Sequence, residues 1–517
     1  MMMSNLLLID LVDPSPNLGA ILPEIIVAVA GIIVMVYDSV FPRQRNVTGV
    51  IALAGIAVSA IVLGMMWTAT DTLPTAAWYG MIAHDNLRMG FSFVFLLVSA
   101  MTILISTVWV EREDVPVGEY HALLLFATFG MMLMAAGNDL VVIFLGLETL
   151  SIATYVLAGL RKSDLRSNEA SMKYFILGSF ASAFLLYGMA LVYGATGSTN
   201  IPQIAAKVAD PNFPGLLFAG AAMMIIGFGF KIATVPFHIW TPDVYEGAPA
   251  PVTGFMSAGP KAAAFASFIR VFVLGFPLVA AVPASGYLHT TWITALSVMA
   301  ILTMTVGNIA AIMQNNVKRM LAYSSIAHAG YALVGFIGAG AAKTVEGRDA
   351  AIASVAFYML TYAVTNLGAF AVVSLLAQKN DRRAEFDDYN GIGFKSPVLS
   401  FALSLFMLSL LGLPLTAGFL GKVLVFRPAL ESGEPLLAAL VVVAVVNTAI
   451  SAYYYLRLIV VMFFRERTSD WHEPKMPLGL SAALLIAVIG VFYFGIFAGG
   501  VIEKFSRSMP AVQAQIK

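Results

Sequence analysis

Four ionisable residues lie deep inside long apolar stretches of the sequence: Glu148, Lys231, Lys261 and Lys422. A charge at the centre of a bilayer costs about 2.5–3.5 kcal/mol on insertion scales. Each of these residues therefore needs a partner, water or a neutral form. A lysine in a low-dielectric site exchanges its proton readily, and a nearby carboxylate controls how tightly the proton is held. The simplest prediction is that Glu148 pairs with Lys231, with Lys261 and Lys422 continuing a proton relay.

His328 is a weaker candidate for the same relay. It lies in the segment YSSIAHAGY among small and hydroxylated residues, and histidine titrates near physiological pH. The alternative is a histidine that only fills the interior. For the whole set of charges, the alternative is a group of buried ion pairs that specify helix packing without transporting anything. Three lysines beside breaks in apolar segments favour transport.

Other polar residues in or near the apolar segments have more than one interpretation. His238 and Asp243 follow the seventh segment as a possible proton inlet, although Trp240 and Tyr245 favour a loop anchored at the membrane surface. We expect a helix cap at Asp139 and snorkelling side chains at Lys173 and Arg270, whereas Arg457 is either an exit group or a subunit contact.

The elements that position these residues are membrane-spanning helices. Of 517 residues, 60% are hydrophobic and 11% are charged, whereas soluble domains carry about 25% charged residues. The apolar runs are continuous and long enough to span, so they predict helices and exclude alternating barrel strands. The predicted fold class is an all-α polytopic membrane protein with about 14 transmembrane helices, the first of them a retained helix near residues 21–40.

Breaks in three of these spans suggest an internal repeat. Pro236 closes the seventh span, Pro260 interrupts the eighth, and Gly412 with Pro414 breaks the twelfth. The seventh and twelfth spans lie five helices apart, which predicts two inverted five-helix repeats with broken helices 7 and 12. The predicted division is N-terminal helices 1–3 over 1–118, repeats over 119–280 and 281–470, and a C-terminal helix 14 and tail over 471–517.

Charge and cysteine content exclude several functions. The formal net charge is zero and cysteine is absent, which argues against nucleic-acid partners, disulfides and cysteine-held iron–sulfur clusters on this chain. We expect no cofactor and no metal here. Lysine and arginine are concentrated in one set of alternate loops, which predicts that these loops are cytoplasmic and that both termini lie on the opposite side of the membrane.

Several long segments resemble a known family. GLETLSIATYVLAG, GFGFKIATVPFHIWTPDVYEGAPAPVTGFMSAGPKAAAF, KRMLAYSSIAHAGY and LPLTAGFLGK are together similar to the antiporter-like, proton-translocating subunits of complex I, the respiratory NADH:quinone oxidoreductase. Within that family they look more like subunit N than subunits L or M. The resemblance implies that Glu148 pairs with Lys231, that Lys261 is the central lysine, and that Lys422 faces the external half-channel.

The resemblance also implies partners. It predicts a membrane subunit of a translocase that contacts neighbouring antiporter-like and small membrane subunits and membrane lipids. It also implies a multi-pass protein of the bacterial inner (plasma) membrane, and with the loop charges this places both termini in the periplasm. FMN, iron–sulfur clusters and the quinone site would belong to partner subunits. The closest alternative is a subunit of a multi-subunit cation/proton antiporter, which shares the core residues. A stand-alone solute transporter and a structural scaffold are further alternatives from other classes.

Overall fold

The structure, a computed structural model, describes residues 17–42, 45–68, 76–113, 115–208, 211–277, 283–467 and 476–506. Predictions that concern the two termini therefore lie outside the described residues. The long helices of the described ranges are α1 (Leu22–Val40), α2 (Arg45–Thr68), α3 (Asn86–Glu113), α4 (Val117–Ala136), α5 (Leu140–Ala158), α6 (Leu165–Thr196), α7 (Pro214–Ile232), α8 (Ala250–Phe268), α9 (Pro283–Ile312), α10 (Val317–Gly340), α11 (Val345–Leu376), α12 (Pro397–Leu411), α13 (Ala417–Glu431), α14 (Pro435–Phe464) and α15 (Leu478–Ile496).

This architecture confirms the predicted all-α membrane fold. Within the described ranges, 13 helices are long and apolar enough to cross a membrane, and 14 if one bent pair counts as a span. That bent pair joins Phe386–Phe394 to α12. The strands in the described part of the chain are a short antiparallel pairing of Ala76–Ala77 with Ile82–Ala83. Asp139 caps α5 as predicted, since its side chain accepts a hydrogen bond from the backbone N–H of Val141.

Two helices are broken where the sequence predicts it. α7 ends at Ile232, and the chain turns before the short helix Thr241–Gly247. The carbonyl of Phe230 accepts hydrogen bonds from the backbone N–H of Ala233 and from the indole of Trp240, which together cap this helix end. The twelfth span divides into α12 and α13, separated at Gly412, whose φ of 97° ends α12 in the left-handed region.

The eighth span is not interrupted, so the predicted break at Pro260 is wrong. α8 continues through Pro260 from Ala250 to Phe268, followed by a π-helical segment, Ile269–Leu274. Proline removes the donor that would bond the carbonyl four residues earlier, which belongs to Met256. The Tyr245 hydroxyl donates to that carbonyl at 3.1 Å and replaces the lost partner. The helix therefore accommodates the proline without opening.

Three helices form the centre of the bundle. α8 and α11 are buried along their whole spanning windows, and α10 along nearly all of its window. α8 packs against α3, α4, α11 and α7, and α10 packs against α9, α11 and α13. Only 28–39% of the spanning windows of the outer helices α1, α2, α14 and α15 is buried, as in helices that face lipid or partner subunits. The central helices carry Lys261 and His328, so the interior of the bundle is where the unusual charges meet.

Candidate proton pathway

Lys231, the penultimate residue of α7, is held by a hydroxyl group on α5. Its Nζ donates to the Ser151 Oγ at 2.7 Å, and the lysine is only 4% exposed. The predicted direct pair with Glu148 is not formed, since the ion pairs found among the described residues do not join these two. Glu148 still lies near enough for its charge to act on Lys231. Its Oε1 is buried without a hydrogen-bond partner in the described structure.

Aromatic rings complete the surroundings of Lys231. The ammonium lies 5.5 Å from the ring centroids of both Tyr155 and Tyr174, within range of a cation–π attraction. Tyr174 stacks on Trp240 with centroids 4.5 Å apart, and Trp240 meets Tyr245 edge to face. Trp240 and Tyr245 are both buried, so the expectation that they anchor a loop at the membrane surface is wrong. They instead lie inside the protein, between Lys231 and α8.

Lys261, in the middle of α8, binds to α10. Its Nζ donates to the Ser325 carbonyl at 2.7 Å and to the Ser325 hydroxyl at 2.5 Å. The Tyr245 and Tyr362 hydroxyls also approach Ser325. Ser325 is therefore the point at which the aromatic group beside Lys231 and the central lysine come together.

His328 follows Ser325 by one helical turn and lies between two tyrosines. Its Nδ1 is 2.7 Å from the Tyr358 hydroxyl, and its Nε2 is 3.1 Å from the Tyr455 hydroxyl. The Tyr455 hydroxyl is in turn 2.5 Å from the Ser324 Oγ. Both ring nitrogens have hydroxyl partners that can donate or accept, so the imidazole can pass a proton by changing tautomer. The lysines on either side, Lys261 and Lys422, both act electrostatically on His328.

Lys422 caps the broken end of α12. Its Nζ donates to the carbonyls of Leu410 and Leu411 at 3.0 and 2.9 Å. The C-terminal end of a helix carries partial negative charge, so it stabilises a cation there. The ammonium also lies 4.8 Å from the ring centroid of Tyr331 on α10. The helix break predicted from Gly412 and Pro414 thus creates the site in which this lysine is buried.

One face of α10 joins the second half of this line. Ser325, His328 and Tyr331 recur every three residues, so they lie on one side of the helix. Ser325 binds Lys261, Tyr331 lies under Lys422, and His328 lies between them. The structure therefore brings together the predicted Lys231, Lys261, His328 and Lys422 through hydroxyl and aromatic groups. Glu148 lies beside this row of residues and forms no ion pair with Lys231.

Sequence reasoning missed a buried charged cluster at one end of the bundle, which we call the Asp381 cluster. The Asp381 carboxylate lies 2.9 Å from Lys318, 3.3 Å from Arg161 and 3.8 Å from Arg112. Lys318 also donates to the backbone carbonyls of residues 246 and 248 at 2.8 and 2.6 Å. Burial favours a raised pKa for Asp381, but the surrounding cations outweigh it and lower the pKa below its usual value. Charged residues in loops and at helix ends lie outside the apolar segments, so the hydrophobic pattern of the sequence does not single them out.

A partly exposed group of charges lies beside this cluster. Asp243 is paired with Lys173 and with Arg319, both at 2.8 Å. Burial would raise the pKa of Asp243, but hydrogen bonds from these two cations lower it below the usual value. Lys173, in the third turn of α6, is therefore held in ion pairs, where snorkelling alone was expected. Arg457 donates to the carbonyl of Gln314 at 2.9 Å, which ties α14 to the loop between α9 and α10.

At the opposite end, Arg270 contradicts the expectation of snorkelling. It is fully buried in the π-helical segment and forms a bidentate pair with Asp85 at 2.8 and 2.7 Å. A second buried pair joins Arg88 to Glu24 at 2.8 Å. Asp85 and Arg88 lie at the start of α3, outside the middle of any span. Their partners are distant in sequence, so spacing alone does not reveal the pairs.

Comparison with known proteins decides the family. The family model described as "NADH:quinone oxidoreductase/Mrp antiporter, TM" matches residues 137–451. NADH-quinone oxidoreductase subunit N of Trichlorobacter lovleyi is 43% identical over 96% of this chain and 98% of its own length. The chain belongs to the family of antiporter-like membrane subunits.

Solved structures agree with this family. A chain of respiratory complex I from Thermus thermophilus with bound aureothin is 34% identical, with a TM-score of 0.76 over 93% of this chain and 98% of that one. A chain of the Mrp complex from Dietzia sp. has a TM-score of 0.76 at 20% identity, over 94% of this chain and 96% of that one. At that identity the Mrp likeness concerns the fold alone. Among the described residues of this antiporter-like subunit, no cluster of three or more potential metal ligands is found.

Proposed function

We propose that this chain conducts protons through the membrane part of an NADH:quinone oxidoreductase, by a relay of Glu148, Lys231, Lys261, His328 and Lys422. The observation that carries the proposal is the row of polar side chains, Ser325, His328 and Tyr331, on one face of α10. Each of the three lysines is at most 4% exposed, and each is bound by a neutral hydroxyl or carbonyl oxygen. A buried ammonium without a direct counter-charge is costly to keep as mere scaffolding.

The energy must come from partner subunits. Moving one elementary charge against 100 mV requires about 2.3 kcal/mol, and electron transfer in the rest of the oxidoreductase supplies it. We assign FMN, the iron–sulfur clusters and the quinone site to those partner subunits. On this chain, Glu148 lies on a face of α5 that also exposes Leu145 and Ile152. A carboxylate on such an apolar face is the position at which a neighbouring membrane subunit would cover the start of the relay.

The two halves of the relay support the proposed repeat. In the unit 119–280, the lysine at the break of the seventh span contacts α5. In the unit 281–470, the lysine at the break of the twelfth span contacts α10, five helices later. We propose that these units are inverted repeats, flanked by helices 1–3 over 1–118 and by helix 14 with the tail over 471–517.

The Asp381 cluster supports the proposed orientation. Arg112 at the end of α3, Arg161 after α5 and Lys318 at the start of α10 adjoin different loops of the basic set predicted to be cytoplasmic, and all three meet around Asp381. Those loops therefore lie at one end of the bundle. We propose that this end faces the cytoplasm of a bacterial cell, that the chain lies in the inner membrane, and that both termini lie in the periplasm.

The alternative of a cation/proton antiporter subunit shares the fold but is less favoured. Its likeness is at 20% identity, whereas the complex I relatives reach 34% and 43%.

The test is Lys231→Ala in the host's complete complex. Lys207→Ala is the matched control, since Lys207 is exposed on the short helix Ile201–Lys207. Assembly is checked on native gels, and NADH:quinone turnover and proton uptake are measured in inverted vesicles. We expect Lys231→Ala to assemble and to lose both activities to a tenth or less, since a positioned acid–base group contributes about 10²–10⁴-fold. An assembled complex that turns over and pumps like the control would refute the relay.

A further inference from the structure

A cavity separates α2 from α3 at the end of the bundle where α3 finishes. At their other ends these two helices are in contact, since the Trp67 indole donates to the Asn86 Oδ1 at 2.8 Å and its ring lies 5.3 Å from that of Phe93. At the cavity end α2 contacts α4 instead, where the Thr48 Oγ1 is 3.0 Å from the His121 Nδ1. The space between α2, α3 and α4 is about 540 Å³, within the range of about 300–1,000 Å³ that is typical of ligand sites.

This cavity has an apolar floor and a polar mouth. Ile103, Val110 and Val117 line it and are buried, so they form its floor. Thr107 and Glu111 line it and are exposed, so they form its mouth. An apolar concavity is stabilised when apolar groups fill it, and a few polar groups fix the orientation of what binds there. The matching occupant has a long apolar part and a polar end.

His121 adds an open polar atom to the buried side of the cavity. The histidine is 6% exposed, lines the cavity, and has its Nδ1 beside Thr48. Its Nε2 has no hydrogen-bond partner among the described residues and lies next to Gly49, where an added Cβ atom would be 3.6 Å from it. Buried ring nitrogens are normally hydrogen-bonded. The occupant therefore carries a further polar group between its apolar part and its outer end.

The mouth of the cavity carries negative charge. Glu111 lies in the last turn of α3, and within the ranges that the structure describes it forms no ion pair. The last carbonyl groups of a helix carry partial negative charge, so a carboxylate is least favourable at this position. The neighbouring Arg112 is engaged by Glu113 and Asp381. A cation with N–H groups would therefore be attracted to Glu111.

The level of the mouth in the membrane indicates which molecules reach it. The apolar spanning segment of α3 runs from Asn86 to Thr107, and that of α4 begins at Val117. Glu111 lies about one helical turn beyond Thr107, which places its carboxylate in the headgroup region, while the floor lies beside the acyl chains.

We propose that this cavity binds one phospholipid with a primary ammonium headgroup, of the phosphatidylethanolamine type. Its ammonium meets Glu111, its phosphate or ester oxygens accept from or lie beside the His121 Nε2, and an acyl chain covers the floor. A primary ammonium donates charge-assisted hydrogen bonds to a carboxylate. The trimethylammonium of a choline lipid has no N–H to donate, and phosphatidylglycerol brings a negative charge to a negative mouth. The site is independent of the proposed proton relay.

The test uses the complete complex in phosphatidylglycerol nanodiscs that contain a small fraction of phosphatidylethanolamine with a photoactivatable acyl chain. Mass spectrometry of the digested protein locates and quantifies the cross-links. We expect cross-links around the cavity on α2, α3 and α4, and about three- to tenfold fewer in Glu111→Gln, because the headgroup loses its charged acceptor. Glu119→Gln is the matched control, since Glu119 is exposed in the first turn of α4 and does not line the cavity. Its cross-links should equal those of the native complex.

A second pair of variants tests the cavity by its volume. Leu53 lines the cavity on α2, whereas Ile61 on the same helix is 64% exposed and lies outside it. We expect Leu53→Trp to fill the space and to lose most of the cross-links, and Ile61→Trp to keep them. Electron cryomicroscopy of the native complex should show a lipid between α2 and α3.

Competition in the native complex makes the test independent of the assembly of any variant. Unlabelled phosphatidylethanolamine should displace the probe from the cavity, whereas added phosphatidylcholine should not. Equal displacement by the two lipids, or unchanged cross-linking in Glu111→Gln, would overturn the headgroup assignment. A native complex without cross-links at the cavity would overturn the lipid site itself.

Discussion

Replacing Asp381 with asparagine would remove the carboxylate that Lys318, Arg161 and Arg112 share. Asparagine has nearly the same size, and it tolerates the left-handed backbone of this position, where φ is 48°. The substitution therefore changes the charge and little else. Lys318 would keep its two backbone carbonyl partners, but the cluster would hold three cations without their common anion.

The expected loss of stability follows from the distances between Asp381 and its cationic partners. At 2.9 and 3.3 Å, each of the two closest pairs is worth about 5–6 kcal/mol in gross Coulomb energy at an effective dielectric constant of about 20. Desolvation of the buried carboxylate offsets most of that gain. Breaking a buried pair by removing one partner costs about 3–5 kcal/mol, and we expect a loss in this range for the free energy of unfolding of Asp381→Asn.

The measurement is unfolding of the purified chain by a titration with sodium dodecyl sulfate in mixed micelles, with assembly of the complex followed on native gels. Asp387→Asn is the control, because Asp387 is 81% exposed and its pair with Arg465 is 3.8 Å long. An exposed pair of this kind contributes about 0–1 kcal/mol. If Asp381→Asn unfolds within about 1 kcal/mol of both the native chain and the control, the reasoning about this cluster is refuted.

The same carboxylate predicts a dependence on pH. The pKa of Asp381 is lowered in the folded protein, whereas an aspartate in an unfolded chain has a pKa of about 3.9. Its stabilisation is therefore fully present above about pH 4 and is lost as the pH falls through the lower folded pKa. The free-energy difference between the native chain and Asp381→Asn should shrink on acidification below that point, and a constant difference would contradict the assignment.

Two further substitutions test other parts of the bundle. Arg270→Met leaves Asp85 buried without its bidentate partner, so we expect the unfolding free energy to fall by about 3–5 kcal/mol. The double variant Arg270→Met with Asp85→Leu should recover most of this loss, because it removes the unpaired charge. No recovery in the double variant would contradict this prediction. Gly178→Ala places a Cβ atom against the Tyr155 hydroxyl, and we expect a cost of about 1–3 kcal/mol together with impaired proton uptake. Gly215→Ala is its control, since no atom lies within 4 Å of the Cβ position there, and equal behaviour of the two variants would contradict the packing argument.

The fold class and the main relay residues can both be predicted from the sequence, because both depend on the contrast between long apolar segments and the few charged residues within them. A charge in a long apolar run is expensive, so Lys231, Lys261 and Lys422 are conspicuous. Glycine and proline likewise mark the broken helix at Gly412. The predicted helices and the breaks of the seventh and twelfth spans are confirmed in the structure, the break of the eighth is wrong, and the roles of the individual residues stay predictions.

The contacts between helices are not accessible in the same way. The sequence does not single out Ser151, because a serine costs little in an apolar helix and its hydroxyl can donate a hydrogen bond to a backbone carbonyl of the same helix. The partners of His328 lie on α11 and α14, and one of them is 127 residues away in the sequence. The break predicted at Pro260 is wrong for a similar reason, since the hydroxyl that rescues the helix comes from Tyr245 on another element.

The complete burial of α8 also has a consequence for how the chain is made. α8 has the lowest mean hydropathy of the described spans, carries Lys261 and Pro260, and packs on α3, α4 and α11. The ribosome delivers α3 and α4 before it, but α11 and Ser325 of α10, which binds Lys261, emerge only after α8 has left the exit tunnel. We therefore expect α8 to wait beside the translocon, against α3 and α4, until the second half of the protein closes over it. α8 should be more accessible to protease in ribosome-bound chains that end before α10 than in chains that extend beyond α11.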